Sequence, residues 1–334
     1  MSAPLLSACI IARDEERCIG RCIASLRGLV DEVVVVDTGS VDATPQIARS
    51  LGARVYHHPW ADDFSLHRNQ SIEYAEGVWC LIVDADEHLE PGDFEETRRR
   101  LAEPDLPNVL MIKHWSSYPW EQSVLEYLAR LVRKGSGIRY IHPIHEQLAV
   151  RNEEALLSNL VVRHDGYEHA NLLASKHVRN LAIAEKMEDD EPHAWHCRMR
   201  SLAALGRWPN ARESALRLLA LPEVAPPLRV DAHLMVAASQ VDVSRDEVVA
   251  EYMEHLAAAR ELEPCNPDIP FLEMFRFAVH FLRALQSANT PGSEGFLRIG
   301  SFWRTGFEVE RLVRMIIGDG PRALHRDGQV LNPK

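Results

Sequence analysis

Hydrophobic and polar positions change their period twice along this chain. Near the N-terminus, short unbroken apolar runs alternate with stretches of helical spacing. "LLSACIIA" (5–12) and "EVVVVD" (32–37) are runs of the kind that parallel strands show when both faces are covered. Between them Ile19, Cys22, Ile23 and Leu26 repeat at the i, i+3, i+4, i+7 positions of an amphipathic helix. A second helix opens at Pro45, just inside its start, and stops at Gly52. Residues 54–57 make a third strand. "DFSLHRNQSIEYAEG" follows as a helix closed by Gly77, and 78–83 as a fourth strand. Strand–helix alternation with short connections predicts a Rossmann-like α/β layer. From about Asn108 to Asp165 the pattern changes to strands and irregular loops, as in an added β region. From Glu168 onward nearly everything has helical spacing.

The helical half has its own order. "AWHCRMRSLAALGRWPNARESALRLLAL" gives an apolar helix, a Leu-Gly turn and a second helix. Trp195, Leu205-Gly206 and Ala211 fall where a tetratricopeptide repeat places such residues. Another helix pair, "RVDAHLMVAASQ" and "EYMEHLAAARELEP", ends in Pro264, so two or three divergent copies are expected. The predicted organisation is an α/β domain over 1–167 and a TPR-like α-helical domain over 168–334, in keeping with the length of 334 residues.

Composition narrows the function classes. Asp and Glu (49) outnumber Lys and Arg (37), and a net charge of −12 argues against nonspecific nucleic-acid binding. The six cysteines form no CxxC pair, and Cys18 and Cys22 read as helix packing instead of ligation. The opening residues do not resemble a signal peptide and no window has the length of a membrane span, so a cytoplasmic location is expected. The Arg98-Arg99-Arg100 run reads as a solvated helix face.

Ligands of open α/β sheets bind outside the carboxyl ends of the strands. Here those ends carry Asp14 and Glu15, then Asp37, Ser40 and Asp42, then Asp84, Asp86 and Glu87 of "WCLIVDADEHLEPGD". No Gly-rich phosphate loop of the GxGxxG or Walker type is present, so a nucleotide would need another phosphate handle. Carboxylates holding Mg2+ or Mn2+ are the natural substitute, because hard cations take oxygen ligands and bridge phosphates. A D-x-D pair alone is an ordinary acidic turn. Its place directly after an apolar strand favours metal and nucleotide work.

"SACIIARDEE", "DEVVVVDTGSVDAT", "DFSLHRNQS" and "WCLIVDADEHLEP", in this order and spacing, resemble the nucleotide-sugar half of a family 2 glycosyltransferase with the GT-A fold. "YIHPIHEQL" and "VVRHDGYEH" further resemble a subgroup in which a short GT-A domain precedes tetratricopeptide-like helices, as in peptide S-glycosyltransferases of the sublancin type. The resemblance implies an inverting, metal-dependent hexosyltransferase-type enzyme with a UDP-linked donor and a peptide, natural-product or glycan acceptor. It implies that Asp37 binds the uracil or ribose, that Ala12 and Glu15 line the base pocket, and that Arg68 approaches the nucleotide. Asp84 would lie near the ribose and metal and Ala85 against the nucleotide sugar, with Asp86 as the direct ligand of Mg2+ or Mn2+. Arg13-Asp14 replaces the Lys-Asn common in relatives, which leaves the base open, and Asp165 replaces an aromatic residue beside His164.

An inverting transfer needs a carboxylate to deprotonate the acceptor. Glu146 is the first choice, against an exposed loop glutamate. His164, which ends the strand-like "LVVRH", either completes the metal shell as a neutral imidazole or is an ordinary core or surface histidine. His142 and His145 are alternatives for the same task. Trp115, Tyr118 and Trp120 either stack on a sugar or form a structural cluster. The helical half is expected to govern acceptor recognition or homodimerisation. Two rival readings remain at this stage. One is a sugar-phosphate nucleotidyltransferase, although its usual Gly-rich loop with lysine is missing. The other is a helical-repeat scaffold with a degenerate transferase domain.

Overall fold

The computed structural model describes residues 4–116, 124–150, 156–164, 170–239, 246–270 and 272. Tyr118, Trp120 and Asp165 lie outside the described residues. The chain divides into two compact units between Leu172 and Leu173.

The first unit runs β1 (Leu6–Ala12), α1 (Ile19–Ser25), β2 (Glu32–Asp37), α2 (Thr44–Ser50), β3 (Arg54–His57), α3 (Phe64–Tyr74) and β4 (Trp79–Ile82). It continues through β5 (Glu87–Leu89), α4 (Phe94–Leu101), β6 (Val109–Ser116), β7 (Val124–Arg133), β8 (Tyr140–Ile141), β9 (Gln147–Leu148) and β10 (Leu156–His164). β8 and β9 pair as a small separate ribbon, and the other strands form one eight-stranded sheet in the order β3-β2-β1-β4-β7-β6-β10-β5. β1 to β4 are mutually parallel, β7 runs antiparallel to both neighbours, and β5 closes one edge antiparallel to β10. This is a Rossmann-like α/β layer extended on one side by the β7, β6, β10 and β5 strands.

Both sheet faces are covered, which is why the apolar runs of β1 and β2 are continuous instead of alternating. One face packs Leu6, Ala8 and Ile10 against Ile19, Cys22, Ile23 and Leu26 of the α1 segment. The other packs Cys9, Val34, Cys80, Ile82 and Val132 together with Ala75 and Tyr140. Pro45 lies in the first turn of α2, and Gly52, at φ 90°, takes the chain out of it. Gly77 is required by crowding: a Cβ there would stand 2.5 Å from Ser7 Oγ and 2.8 Å from the Ser7 backbone nitrogen.

Two expectations change. The strands after Asn108 are no separate addition, because β7 inserts beside β4 and carries β6 and β10 into the same sheet. The Arg98–Arg100 run is not uniformly solvated. Arg98 donates to the Leu29 carbonyl at 2.6 Å and to Asp31 at 2.8 Å, tying the end of α4 to the loop before β2.

The second unit contains α5 (Ala170–Ala184), α6 (Pro192–Ala204), α7 (Trp208–Ala220), α8 (Pro226–Ala238) and α9 (Asp246–Leu262), apart from the first residues of α5. α6 turns into α7 at Leu205-Gly206, with Gly206 at φ 72°, and Ala211 is fully buried. Met199, Leu218, Met235, Tyr252 and Leu256 share its core. A buried His196–Asp231 contact of 2.9 Å joins α6 to α8. The helices expected beyond residue 272 lie outside the described residues.

Candidate functional site

The carboxyl ends of β1, β2 and β4 supply the rim of the site. Two loops there are clasped together. The Asp14 backbone N–H donates to Ser40 Oγ at 2.9 Å, and Asp14 Oδ1 accepts from the Val41 N–H at 2.8 Å. The Glu15 N–H donates to Thr44 Oγ1 at 2.7 Å, while the Glu15 carbonyl accepts from Cys18 and Ile19 and so starts α1. The Ala12 carbonyl accepts from Thr38 N–H at 2.9 Å. Asp37, the last residue of β2, is buried. It accepts from His57 Nδ1 at 3.0 Å and, through longer contacts of 3.3–3.4 Å, from the N–H groups of Gly39 and Ser40.

The acidic end of β4 is a closed turn. The Glu87 N–H donates to the Asp84 carbonyl at 3.0 Å, and the Asp84 N–H donates back to Glu87 Oε2 at 2.8 Å. Ala85, between the two aspartates, is buried, and Cys22 Sγ donates to the Asp84 carbonyl at 3.4 Å from α1 below.

Packed carboxylates persist only where cations compensate them. Arg68, on α3, reaches Asp84 Oδ1 at 2.8 Å with Nη2 and Glu146 Oε1 at 2.5 Å with Nε. Arg130, on β7, reaches Asp84 Oδ2 at 3.1 Å and Glu87 Oε1 at 3.3 Å. His114, on β6, meets Glu87 Oε1 at 2.9 Å and lies 3.7 Å from Glu126. Burial alone would lower the His114 pKa, but the carboxylates of Glu126 and Glu87 outweigh it and raise it to about 9. His114 is therefore an imidazolium at neutral pH. Asp84 is held in the opposite direction: burial would raise its pKa, and Arg68 and Arg130 keep it well below the usual carboxylate range. The result is an unbroken chain of charge from Glu146 through Arg68, Asp84, Arg130 and Glu87 to His114.

One nitrogen of this chain is left over. Arg68 Nη1 is buried and has no hydrogen-bond partner. A buried guanidinium N–H without an acceptor is costly; here the guanidinium also lies over the Tyr140 ring, with Cζ 5.6 Å from its centroid.

Asp86 pairs with His164, Oδ2 to Nε2 at 2.9 Å. His164 is a neighbour of Glu87 across β10 and β5, and its ring stacks against His114 with centroids 6.0 Å apart. Among the described residues no group of three or more His, Cys, Asp or Glu side chains could hold a metal ion. A carboxylate oxygen beside an imidazole nitrogen nevertheless fits a cation that keeps water and phosphate oxygens in its other positions, the usual habit of Mg2+ at phosphate sites.

The positions singled out in the sequence thus separate. Arg68, Asp84 and Glu146 share one ion-pair chain, Asp86 and His164 form a second pair, and Ala12, Glu15 and Asp37 line the strand ends. Asp84 is taken up by arginines and Glu146 by Arg68, so neither is a bare carboxylate. His142 and His145 occupy left-handed backbone positions, at φ 70° and 50°, in the loop leading to β9. Trp115 lies under Arg163, whose Cζ is 5.9 Å from the ring centroid. Sequence reasoning missed Arg130, His114 and the burial of Glu87. The alternation of β6, buried at Leu110, Ile112 and His114, is the signal that places the histidine inward.

Residues 7–147 match the family model described as Glycosyl transferase family 2. A TPR repeat-containing protein of Synechococcus elongatus is 39% identical over 172 residues, covering 48% of this chain and 42% of that protein. The SPbeta prophage-derived glycosyltransferase SunS of Bacillus subtilis is 26% identical over 200 residues, covering 57% of this chain and 46% of that protein. The solved structure of S. aureus TarS in complex with UDP aligns at 15% identity with a TM-score of 0.38, over 78% of this chain and 90% of that one. The matched region spans less than half the length of these two curated relatives.

Proposed function

We propose that the chain, whose residues 7–147 are a family 2 glycosyltransferase domain, moves a sugar from a UDP-linked donor to a peptide, natural-product or glycan acceptor with inversion. The observation that carries the reading is the unpartnered Nη1 of buried Arg68, in the charge chain behind the D-x-D turn. A donor phosphate or sugar oxygen supplies the acceptor this nitrogen lacks.

A divalent cation, Mg2+ or Mn2+, follows from the charge count. Among the described residues, the four carboxylates Asp84, Glu87, Glu146 and Glu126 are paired with three cations, Arg68, Arg130 and the His114 imidazolium, so the chain of ion pairs carries no net positive charge to offset a diphosphate. Asp86 and His164 would hold the ion, which when bound offsets the charge of the departing diphosphate. Asp37, Ala12 and Glu15 would receive the nucleoside. Arg68 fixes one oxygen of Glu146, which leaves Oε2 to take the proton of the acceptor.

The helical unit contributes acceptor recognition or pairing with a second copy, since repeat helices present extended surfaces. No described helix is long and apolar enough to cross a membrane.

The test is UDP release from a panel of UDP-sugars with Mn2+ present, with and without candidate acceptors. Slow hydrolysis of at least one donor is expected. Failure of every nucleotide sugar to bind or hydrolyse would favour the scaffold reading instead.

A further inference from the structure

Asp37 has a neighbour whose proton can be placed by elimination. Asp37 and His57 are opposite each other in the register of β2 and β3, with β3 at the sheet edge. His57 Nδ1 is 3.0 Å from Asp37 Oδ2; the histidine side chain is 55% exposed and the aspartate 3%. The other ring nitrogen, Nε2, contacts Arg49 Nη2 at the end of α2. A guanidinium has donors only, so Nε2 must accept. An imidazole that accepts at Nε2 carries its hydrogen on Nδ1. That hydrogen is donated to Asp37.

We infer that His57, held in one tautomer by Arg49, is a positioning residue for Asp37: it occupies Oδ2 and leaves Oδ1, which meets the Ser40 N–H only at 3.3 Å, as the hydrogen-bond acceptor for the nucleobase. This rests on the reading of Asp37 as the base-binding carboxylate. A carboxylate fixed in this way selects bases whose ring nitrogen carries a hydrogen, as N3 of uracil or N1 of guanine does. It rejects cytosine, which presents a lone pair at N3 and would face the carboxylate lone pair to lone pair. The remaining contacts of Asp37, the long ones from Gly39 and Ser40, are too weak to hold the carboxylate alone.

Calorimetric titration of the full chain with UDP and CDP, with Mn2+ present, tests the assignment in wild type, His57→Leu and His57→Asn. The asparagine amide nitrogen stands where Nδ1 stood, so it keeps the donor without the ring. His57→Leu is expected to bind UDP about ten- to a hundredfold more weakly, the scale of a lost hydrogen bond to a charged group. Its preference for UDP over CDP should shrink by a similar factor. His57→Asn is expected to stay within about threefold of wild type on the same scale. The wild-type 15N imidazole shifts should report the Nδ1–H tautomer, and Arg49→Leu should mix the tautomers. Equal UDP affinity in wild type and His57→Leu, or equal loss in both variants with unchanged melting, overturns the positioning role alone. A wild type that binds no nucleoside diphosphate overturns the functional reading beneath it.

Discussion

Replacing Arg130 by leucine removes the cation shared by Asp84 and Glu87. Glu87 is almost completely buried, with its side chain 2% exposed, and Arg130 is 3.3 Å from its Oε1 and 3.1 Å from Asp84 Oδ2. Removing one partner of a buried ion pair costs about 3–5 kcal/mol, because the remaining charge is left uncompensated. The lower end applies here: Asp84 keeps Arg68 and Glu87 keeps His114. About 3 kcal/mol corresponds to roughly a hundredfold rise in the opening equilibrium. Hydrogen exchange followed by mass spectrometry reads this locally, since β4 pairs with β7 at Trp79–Arg133, Cys80–Val132 and Leu81–Leu131. Amides of β4 and β7 should exchange about a hundredfold faster in Arg130→Leu, and α8 peptides should serve as an unchanged internal control. An increase below about fivefold, or equal acceleration in α8, would refute the view that Arg130 is a central counterion of the turn.

Two further outcomes follow from other groups. Glu146→Gln should retain donor affinity and lose about two to four orders of magnitude in transfer rate, the scale of general-base catalysis; collapse of donor binding in a calorimetric titration would place Glu146 in the donor site instead. His233 on α8 meets His255 on α9, Nδ1 to Nδ1 at 2.8 Å, and burial first, then His255 and Arg229, push its pKa down from 6.5 to about 4. Between these values the unfolded chain takes up a proton that the folded unit refuses, so stability is present above the unfolded pKa and is lost as pH falls toward 4. Helical melting by circular dichroism should therefore fall between pH 7 and 4.5, less so in His233→Leu. A melting temperature that rises on acidification would contradict it.

The parts legible in the sequence are those fixed by local period. The unbroken runs of β1 and β2 signal strands covered on both faces, and "WCLIVDADE" places an acidic turn directly after β4. The charge chain is not local. Arg68 and Asp84 are 16 positions apart, Arg68 and Glu146 are 78 apart, and Arg130 lies 46 beyond Asp84. No spacing rule connects such residues until the sheet order is known. "YLARLVR" reads as a strand whatever its arginine meets. Glu87 in an acidic stretch looks solvated, and only the pairing of β5 with β10 reveals that it is buried. Arg98 misleads for the same reason: its partners, the Leu29 carbonyl and Asp31, come from a distant loop.

The central claim is that this chain binds a nucleoside diphosphate through a cation held at Asp86. Titration of UDP into wild type and Asp86→Ala, each with and without Mn2+, tests it most directly. Asp86 meets His164, while Arg68 and Arg130 hold Asp84, so the turn keeps those ion pairs when Asp86 is replaced. The account predicts Mn2+-dependent UDP binding in wild type and loss of that dependence in Asp86→Ala, with unchanged melting of the apo chains. Equal Mn2+-dependent affinity in both proteins would contradict it.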